Sequence, residues 1–309
     1  MRRDIEFPAG GNTLRGWLYT PDDSAGPFPT VVAAHGFSCV KEQSLDIVGE
    51  NISARGIAVL VYDHPNFGAS DGLPRLHIDP WEQIHGYRYA ISYAQSLDEV
   101  DSKRIGVWGT SYSGAHVSVL AAVDQRVKAA AMQVPMFAGR PNIQRLNETM
   151  HNWYPLLDML DEDRDRWARG EAPGMIPVCA DDPAKPHAFP GLRTYEFFHG
   201  FGDTPWKNEC TIRSLDLCLE YDPTPYLTHI DTTPVLMVIA ESDLTTPTDL
   251  SLDAYNLIRG PKELVVMPGD HYTSYIEGID IASNAAADFF ARQLTRKMGM
   301  ESLRTPATV

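Results

Sequence analysis

Ile105-Gly106-Val107-Trp108-Gly109-Thr110-Ser111-Tyr112-Ser113-Gly114-Ala115 is the stretch on which the reading of this sequence turns. Its apolar first third reads as a buried strand. The segment that follows, Val117-Ser118-Val119-Leu120-Ala121-Ala122, reads as a helix. Between them stands Gly-x-Ser-x-Ser-Gly. A sharp strand-to-helix turn of this kind forces its central serine into strained backbone geometry and lifts the hydroxyl clear of the sheet. Only small residues fit two positions before and after that serine. Gly109 fills the first; Ser113, with Gly114 behind it, fills the second, where the commoner form has glycine. Ser111 is therefore the candidate nucleophile.

Outward from this turn the chain alternates strands and helices. Thr30 to Ala34, Ile57 to Tyr62, Ala129 to Val134, Val235 to Ala240 and Leu264 to Met267 are continuous apolar runs, as strands buried on both faces require. Ile84, Tyr87, Ile91, Ala94 and Leu97 mark one face of a helix, and Ile281, Ala285, Ala286 and Phe289 mark another. Ahead of them, Thr13 to Tyr19 alternates like a strand of a hairpin. The alternation predicts an α/β fold: a mainly parallel, twisted sheet with helices on both faces, its chemistry beyond the carboxyl ends of the strands.

A serine hydroxyl needs a base, and the base needs an orienting acid. Past the strand Val235–Ala240 comes Glu241-Ser242-Asp243-Leu244-Thr245-Thr246-Pro247. Asp243 sits where a carboxylate leaves the strand end; Glu241 follows the strand too closely, and Asp249 falls on the next helix. Past the last strand comes Pro268-Gly269-Asp270-His271-Tyr272, which makes His271 the candidate base. The order Ser, acid, His is the one a nucleophile on a strand-to-helix turn calls for. His116 falls on the helix behind the nucleophile and reads as a residue that packs or hydrogen-bonds there. After the strand ending at Ala34, His35-Gly36-Phe37-Ser38 supplies the second half of an oxyanion hole, with the backbone N–H groups of Phe37 and Tyr112 as the donors. His35 reads as an anchor for that loop. Asp63 and Asp71, in Tyr62-Asp63-His64-Pro65-Asn66-Phe67-Gly68-Ala69-Ser70-Asp71-Gly72, read as turn residues.

From about Met136 to about Tyr226 the rhythm breaks. No clean buried strand is found there, but many large aromatics are, among them Trp153, Phe189, Phe197, Phe198 and Trp206. The charge-rich run Asp158 to Arg166 reads as a solvated helix face. The expected division is a core of residues 1–135 and 227–298, a mostly helical cap over 136–226, and a frayed tail over 299–309. Aromatics on the cap's inner side would line a pocket over Ser111, and Trp206 is the residue picked for that lining.

Composition sets the outer bounds. The 309 residues carry a formal net charge of -15, which argues against nucleic acid as a partner. No apolar stretch reaches membrane-spanning length and no signal-peptide pattern opens the chain, so a soluble cytoplasmic protein is expected. Cys39, Cys179, Cys210 and Cys218 show no metal-ligand spacing and read as buried thiols. No phosphate loop or nicotinamide fingerprint is present, and no cofactor or metal is expected. A homodimer is compatible with all of this.

The nucleophile turn, the acid and the terminal histidine together resemble the α/β-hydrolase superfamily over nearly the whole chain. Trp206-Lys207-Asn208-Glu209-Cys210-Thr211-Ile212-Arg213-Ser214-Leu215, Tyr221-Asp222-Pro223-Thr224-Pro225-Tyr226, Thr233-Pro234-Val235-Leu236-Met237 and Asp243-Leu244-Thr245-Thr246-Pro247-Thr248-Asp249 narrow it. These stretches are similar to the fungal polyketide transferase and thiohydrolase family and its bacterial relatives. The resemblance implies a triad of Ser111, Asp243 and His271 that moves or hydrolyses acyl groups held as esters or thioesters. It is strongest from Trp206 to His271 and around Ser111, and weakest from about Gly139 to about Pro190. The expected activity is that of an esterase or thioesterase, with an acyltransferase close to it. A C–C bond hydrolase or a peptidase using the same triad is an alternative, and so is a non-catalytic protein holding a small molecule under the cap.

Overall fold

The computed structural model describes residues 1–22, 25–149, 152–182 and 185–295, so the expected frayed tail, 299–309, lies outside the described residues. The chain opens with an antiparallel pair, β1 (Arg2–Ala9) and β2 (Asn12–Tyr19). There follow β3 (Phe28–Ala34), α1 (Leu45–Ser53), β4 (Ala58–Tyr62), α2 (Pro80–Gln95), β5 (Val100–Thr110), α3 (Tyr112–Val123) and β6 (Val127–Gln133). After a long insertion come β9 (Val235–Ala240), α9 (Thr248–Leu257), β10 (Lys262–Met267), a 3-10 turn at Tyr272–Tyr275 and α10 (Ile279–Leu294).

Eight strands form one sheet in the order β1-β2-β4-β3-β5-β6-β9-β10. β2 runs antiparallel to β4, and from β4 to β10 every pairing is parallel. This is the α/β-hydrolase architecture. Helices cover both faces of the central strands, so that β3, β4 and β9 have no residue open to solvent. α2 is started by Asp79, whose carboxylate accepts from the backbone N–H of Trp81 at 2.8 Å, with Pro80 in the first helical position. Its buried face carries Ile84, Tyr87, Ile91 and Ala94, as the periodicity predicts; Leu97 lies past the helix end.

The face of α10 is a correction. Ile281 is half exposed and Ala285 only partly buried, while Ala282, Ala286, Phe289 and Phe290 are buried. Ala286 and Phe289 are buried as the sequence suggested, but the stripe on this alanine-rich helix runs through Ala282 and not Ile281, and it takes in Phe290. Small residues gave little contrast between neighbouring faces.

Between β6 and β9 the chain adds nothing to the main sheet. It forms α4 (Gly139–Thr149), α5 (Trp153–Ala168), β7 (Met175–Ile176), α6 (Leu192–His199), β8 (Cys210–Thr211), α7 (Ile212–Glu220) and α8 (Thr224–Leu227). β7 and β8 pair as a two-residue antiparallel ribbon, too short to leave a hydrophobic signature. The charge-rich α5 does present a solvated face, and only Trp153, Leu156, Leu160 and Asp163 are buried on it. Among the described residues no helix is long and apolar enough to cross a membrane. All four cysteines are buried and unbridged.

The packing of α10 yields a stability test. Phe290 is fully buried against β5. Phe290→Ala is expected to remove about 3–5 kcal/mol of stability, seen as a lower urea midpoint at unchanged slope. A loss below about 1 kcal/mol would mean that α10 is not part of the cooperative core.

Candidate active site

Four loops at the carboxyl edge of the sheet converge. Ser111 directly follows β5, the loop of Gly36 and Phe37 follows β3, Asp243 follows β9 and His271 follows β10. Ser111 has φ 53° and ψ -117°, outside the regions a serine ordinarily occupies. The surrounding backbone holds it there. Its N–H donates to Gln133 O at 2.8 Å, and its carbonyl accepts from Met136 N at 2.9 Å. A Cβ on Gly109 would stand 2.3 Å from Ser113 O, and one on Gly36 would stand 2.9 Å from the Ser111 Cβ. Glycine at both positions lets three backbone segments close on the serine.

His271 and Asp243 are both almost wholly buried, and Nδ1 of the imidazole lies 2.8 Å from Asp243 Oδ2. The carboxylate is saturated by its own loop. Oδ1 accepts from Thr245 N at 2.9 Å and Thr246 N at 2.7 Å, and the Thr246 hydroxyl reaches Oδ2 at 2.8 Å. Asp243 Oδ2 facing Nδ1 fixes that nitrogen as the donor of the ring, which turns Nε2 into the acceptor. Ser111 and His271 line the same cavity without a hydrogen bond between Oγ and Nε2, a contact that often tightens only around substrate. The competing acids lie elsewhere: Glu241 is exposed, and Asp249 is exposed and paired with Arg145 at 2.7 Å.

Among the described residues, the backbone N–H groups of Phe37 and Tyr112 donate to no protein acceptor. Tyr112 opens α3, so its amide sits at the positive end of that helix. Phe37 and Tyr112 also touch ring edge to ring face, with centroids 5.7 Å apart. This leaves two donors beside Ser111 for an oxyanion.

Behind the site lies a polar network that the sequence reading missed. Ser113, the residue standing in place of glycine, donates its hydroxyl to His35 O and accepts from His64 Nε2 at 2.7 Å. His35 donates Nε2–H to Gln43 O at 2.6 Å and accepts from Gly36 N at 2.8 Å through Nδ1, so it is an anchor as expected. His116 bridges Tyr221 OH of the insertion at 3.0 Å and Gln83 of α2 at 2.9 Å. Burial pushes His35 down to about 4, His64 to about 3, and His116 far below the ordinary histidine range. All three are neutral at physiological pH. The signal was the unusual serine itself, since a hydroxyl in a site built for glycine needs a buried partner. Asp63 and Asp71 hold turns: Asp63 accepts from Ala69 N and Lys41 N and pairs with Lys41 Nζ at 2.7 Å, while Asp71 pairs with Arg15.

The cavity over Ser111 is narrow, about 30 Å³, and is walled by Phe37, Phe189, Phe197, Phe198, Tyr272 and Tyr275, with Cys39 also on its wall. Trp206 is not among its lining residues. It lies behind Phe198, stacked on that ring at 4.9 Å. A second, wider cavity of about 900 Å³ opens on the other side of the acid, where Thr245, His271 and Tyr272 line both. Among the described residues no cluster of His, Cys, Asp and Glu could hold a metal ion.

Comparison with known proteins follows from this geometry. The family model described as X-Pro dipeptidyl-peptidase (S15 family) matches residues 10–166, which include Ser111. A polyketide transferase of Aspergillus fumigatus is 31% identical, covering 95% of this chain and 96% of its own. A thiohydrolase of Eupenicillium brefeldianum is 29% identical over 90% of each chain. The crystal structure of the α/β hydrolase GrgF from Penicillium superposes with a TM-score of 0.80 at 28% identity, over 95% of this chain and 99% of that one.

The buried histidines give a pH prediction. Their folded pKa values lie below the unfolded value near ~6.5, so the stability they confer is complete above that pH and is lost as pH falls toward about 4 and about 3. Three such groups can give a slope of up to about 4 kcal/mol per pH unit. Urea unfolding at pH 7 and pH 5 measures it, and His116→Gln is expected to flatten the slope by about one proton. Equal stability at the two pH values would contradict the assignment.

Proposed function

The chain belongs to the S15-like α/β-hydrolase family, which groups it with polyketide transferases and thiohydrolases, and from that premise we propose that it is a serine-dependent acyl hydrolase or acyltransferase. Its substrate is a small-molecule ester or thioester. The observation that carries the reading is the buried His271–Asp243 pair, whose His271 lines the same cavity as a strained Ser111 with two unused amides beside it.

In this reading Ser111 Oγ attacks the acyl carbonyl carbon while His271 Nε2 takes the hydroxyl proton. Asp243 stabilises the imidazolium that forms. The carbonyl oxygen becomes an oxyanion and binds the Phe37 and Tyr112 N–H groups. The tetrahedral centre collapses: the bond to the leaving oxygen or sulfur breaks, its electron pair goes with the leaving group, and His271 returns the proton to it. Water or an alcohol then attacks the acyl-serine by the same steps reversed. Residues 136–226 act as a cap, and the phenylalanine-rich walls favour an apolar acyl group. The cavity as it stands holds no acyl chain, so one of those rings must turn aside on binding.

Ser111→Ala is expected to lower turnover of an ester or thioester panel by several orders of magnitude while the protein stays folded, and to abolish labelling by a fluorophosphonate probe. Unchanged turnover in the folded variant would remove Ser111 from the mechanism. Asp243→Asn is expected to be crippling and Asp249→Asn mild; the reverse order would name the wrong acid.

Trp206 acts on acyl choice through Phe198, which it backs. Trp206→Ala is expected to change the ranking of kcat/KM across short, long and cyclic acyl groups. A uniform fall across all substrates with a stability loss of about 3–5 kcal/mol would make it a packing residue only.

A further inference from the structure

We propose that the wide groove beside Asp243 and His271 receives the leaving group, or the incoming acceptor, and that it selects an uncharged alcohol or thiol over one carrying phosphates. The proposal rests on the acyl-serine reading above. The base decides which cavity serves which half of the substrate. The leaving atom takes its proton from His271 Nε2 beside Ser111, so the rest of the leaving group has to continue from there into a space that the residues around His271 also border. His271, Thr245 and Tyr272 line both cavities. Ser111 and the phenylalanines line only the narrow cavity, while Asp243, Leu244 and, from the insertion, Arg145, Leu146 and Glu148 line only the groove.

The walls of the groove carry the chemistry. Leu244, next to the acid, is 78% exposed, a large apolar side chain left open at the one loop that fixes the base. The partly buried Leu146 adds to that apolar surface, and the buried Pro190 and Pro247 lie in the wall beneath it. The charged residues are five carboxylates against two arginines. Both arginines already have carboxylate partners: Arg145 pairs with Asp249 at 2.7 Å, and Arg193 with Asp270 at 3.1 Å and Glu277 at 3.4 Å. Among the described residues no cation pairs with Glu148 or Glu241 on the same walls. A phosphorylated pantetheine or nucleotide arm entering here would face a surplus of like charge with no guanidinium at liberty to take a phosphate. The chain's net charge of -15 adds to the repulsion. An uncharged arm meets apolar side chains and neutral backbone instead.

The test holds the acyl group and the thioester fixed and varies only the arm: an acyl-coenzyme A against the same acyl group on N-acetylcysteamine. Acylation of Ser111 is followed by intact mass, and turnover by thiol release. At low salt kcat/KM is expected to favour the uncharged arm by at least about 10-fold, and the gap is expected to narrow as salt is raised to about 0.5 M. Glu148→Lys with Glu241→Lys is expected to narrow it as well. Leu244→Asp is expected to depress long-chain alcohol esters relative to methyl esters of the same acid. Equal or faster acylation from coenzyme A, or a gap untouched by salt and by the lysine pair, overturns the proposal while leaving the acyl-serine reading intact. No acyl mass on Ser111 from either donor overturns both.

Discussion

The backbone of Ser111 is the constraint on which the rest depends. A serine at φ 53° and ψ -117° is unfavourable by itself, by roughly 1–3 kcal/mol, and persists because its neighbours leave no other conformation. Its amide is bound to β6 and its carbonyl to the first residue of the insertion that follows β6. Gly109 and Gly36 let the β5 strand and the β3 loop press against it. The same geometry starts α3 at Tyr112, so the strained turn and the amide proposed as an oxyanion donor are one structural event. Moving the serine to a relaxed conformation would undo the nucleophile's exposure, the helix start and the seat of the insertion together.

The network behind the turn shows how that rigidity is secured without glycine at position 113. The Ser113 hydroxyl ties the helix to the carbonyl of His35, the residue that begins the oxyanion loop, and His64 donates to it from the next strand's loop. Three segments that must keep register at the site are thus bonded to one side chain. His116 extends the tie outward to Tyr221, so the insertion is bonded to the back of the nucleophile helix as well as to the rim of the site. The rim contacts are Tyr272 OH to Thr194 at 2.8 Å and Arg193 to Asp270. Buried neutral histidines suit this role, since each ring supplies one donor and one acceptor at fixed separation. His35 and His116 use both ring nitrogens, whereas His64 Nδ1 has no partner among the described residues.

Much of this was legible in the sequence, for reasons that can be named. Strands buried on both faces write themselves as unbroken apolar runs, and β9 falls on the residues read as such, Val235–Ala240. The acid and the histidine lie just past strand ends, where the fold's topology puts chemistry, so Asp243 and His271 could be read from position and are found bonded. What could not be read depends on contacts between distant segments. The sequence distinguished neither the alanine-rich faces of α10 nor the two-residue strands β7 and β8. It showed that the insertion was aromatic, but not which ring faces inward: Phe198 reaches the cavity and Trp206 backs it, because α6 presents Phe197 and Phe198 on its buried side. The partner of Ser113 was equally hidden, since His64 is 49 residues away.

The two cavities share only the residues around the base, and that arrangement has a chemical logic. In acyl transfer the acyl group stays on the enzyme while one partner leaves and another arrives, so a site needs a closed compartment and an open one that meet at the proton carrier. In the proposed mechanism the narrow, aromatic cavity suits the half that stays, because its ring walls give an apolar acyl group a matching surface beside Ser111. The wide groove suits the half that exchanges. His271 stands at their junction, held by a carboxylate whose own loop forms the groove wall through Leu244 and Thr245. Whatever occupies the groove therefore touches the loop that orients the base. In the proposed mechanism, binding there and proton transfer would be coupled through the Thr245 and Thr246 amides on Asp243, and an occupant that strained that loop would slow the chemistry even where it bound well.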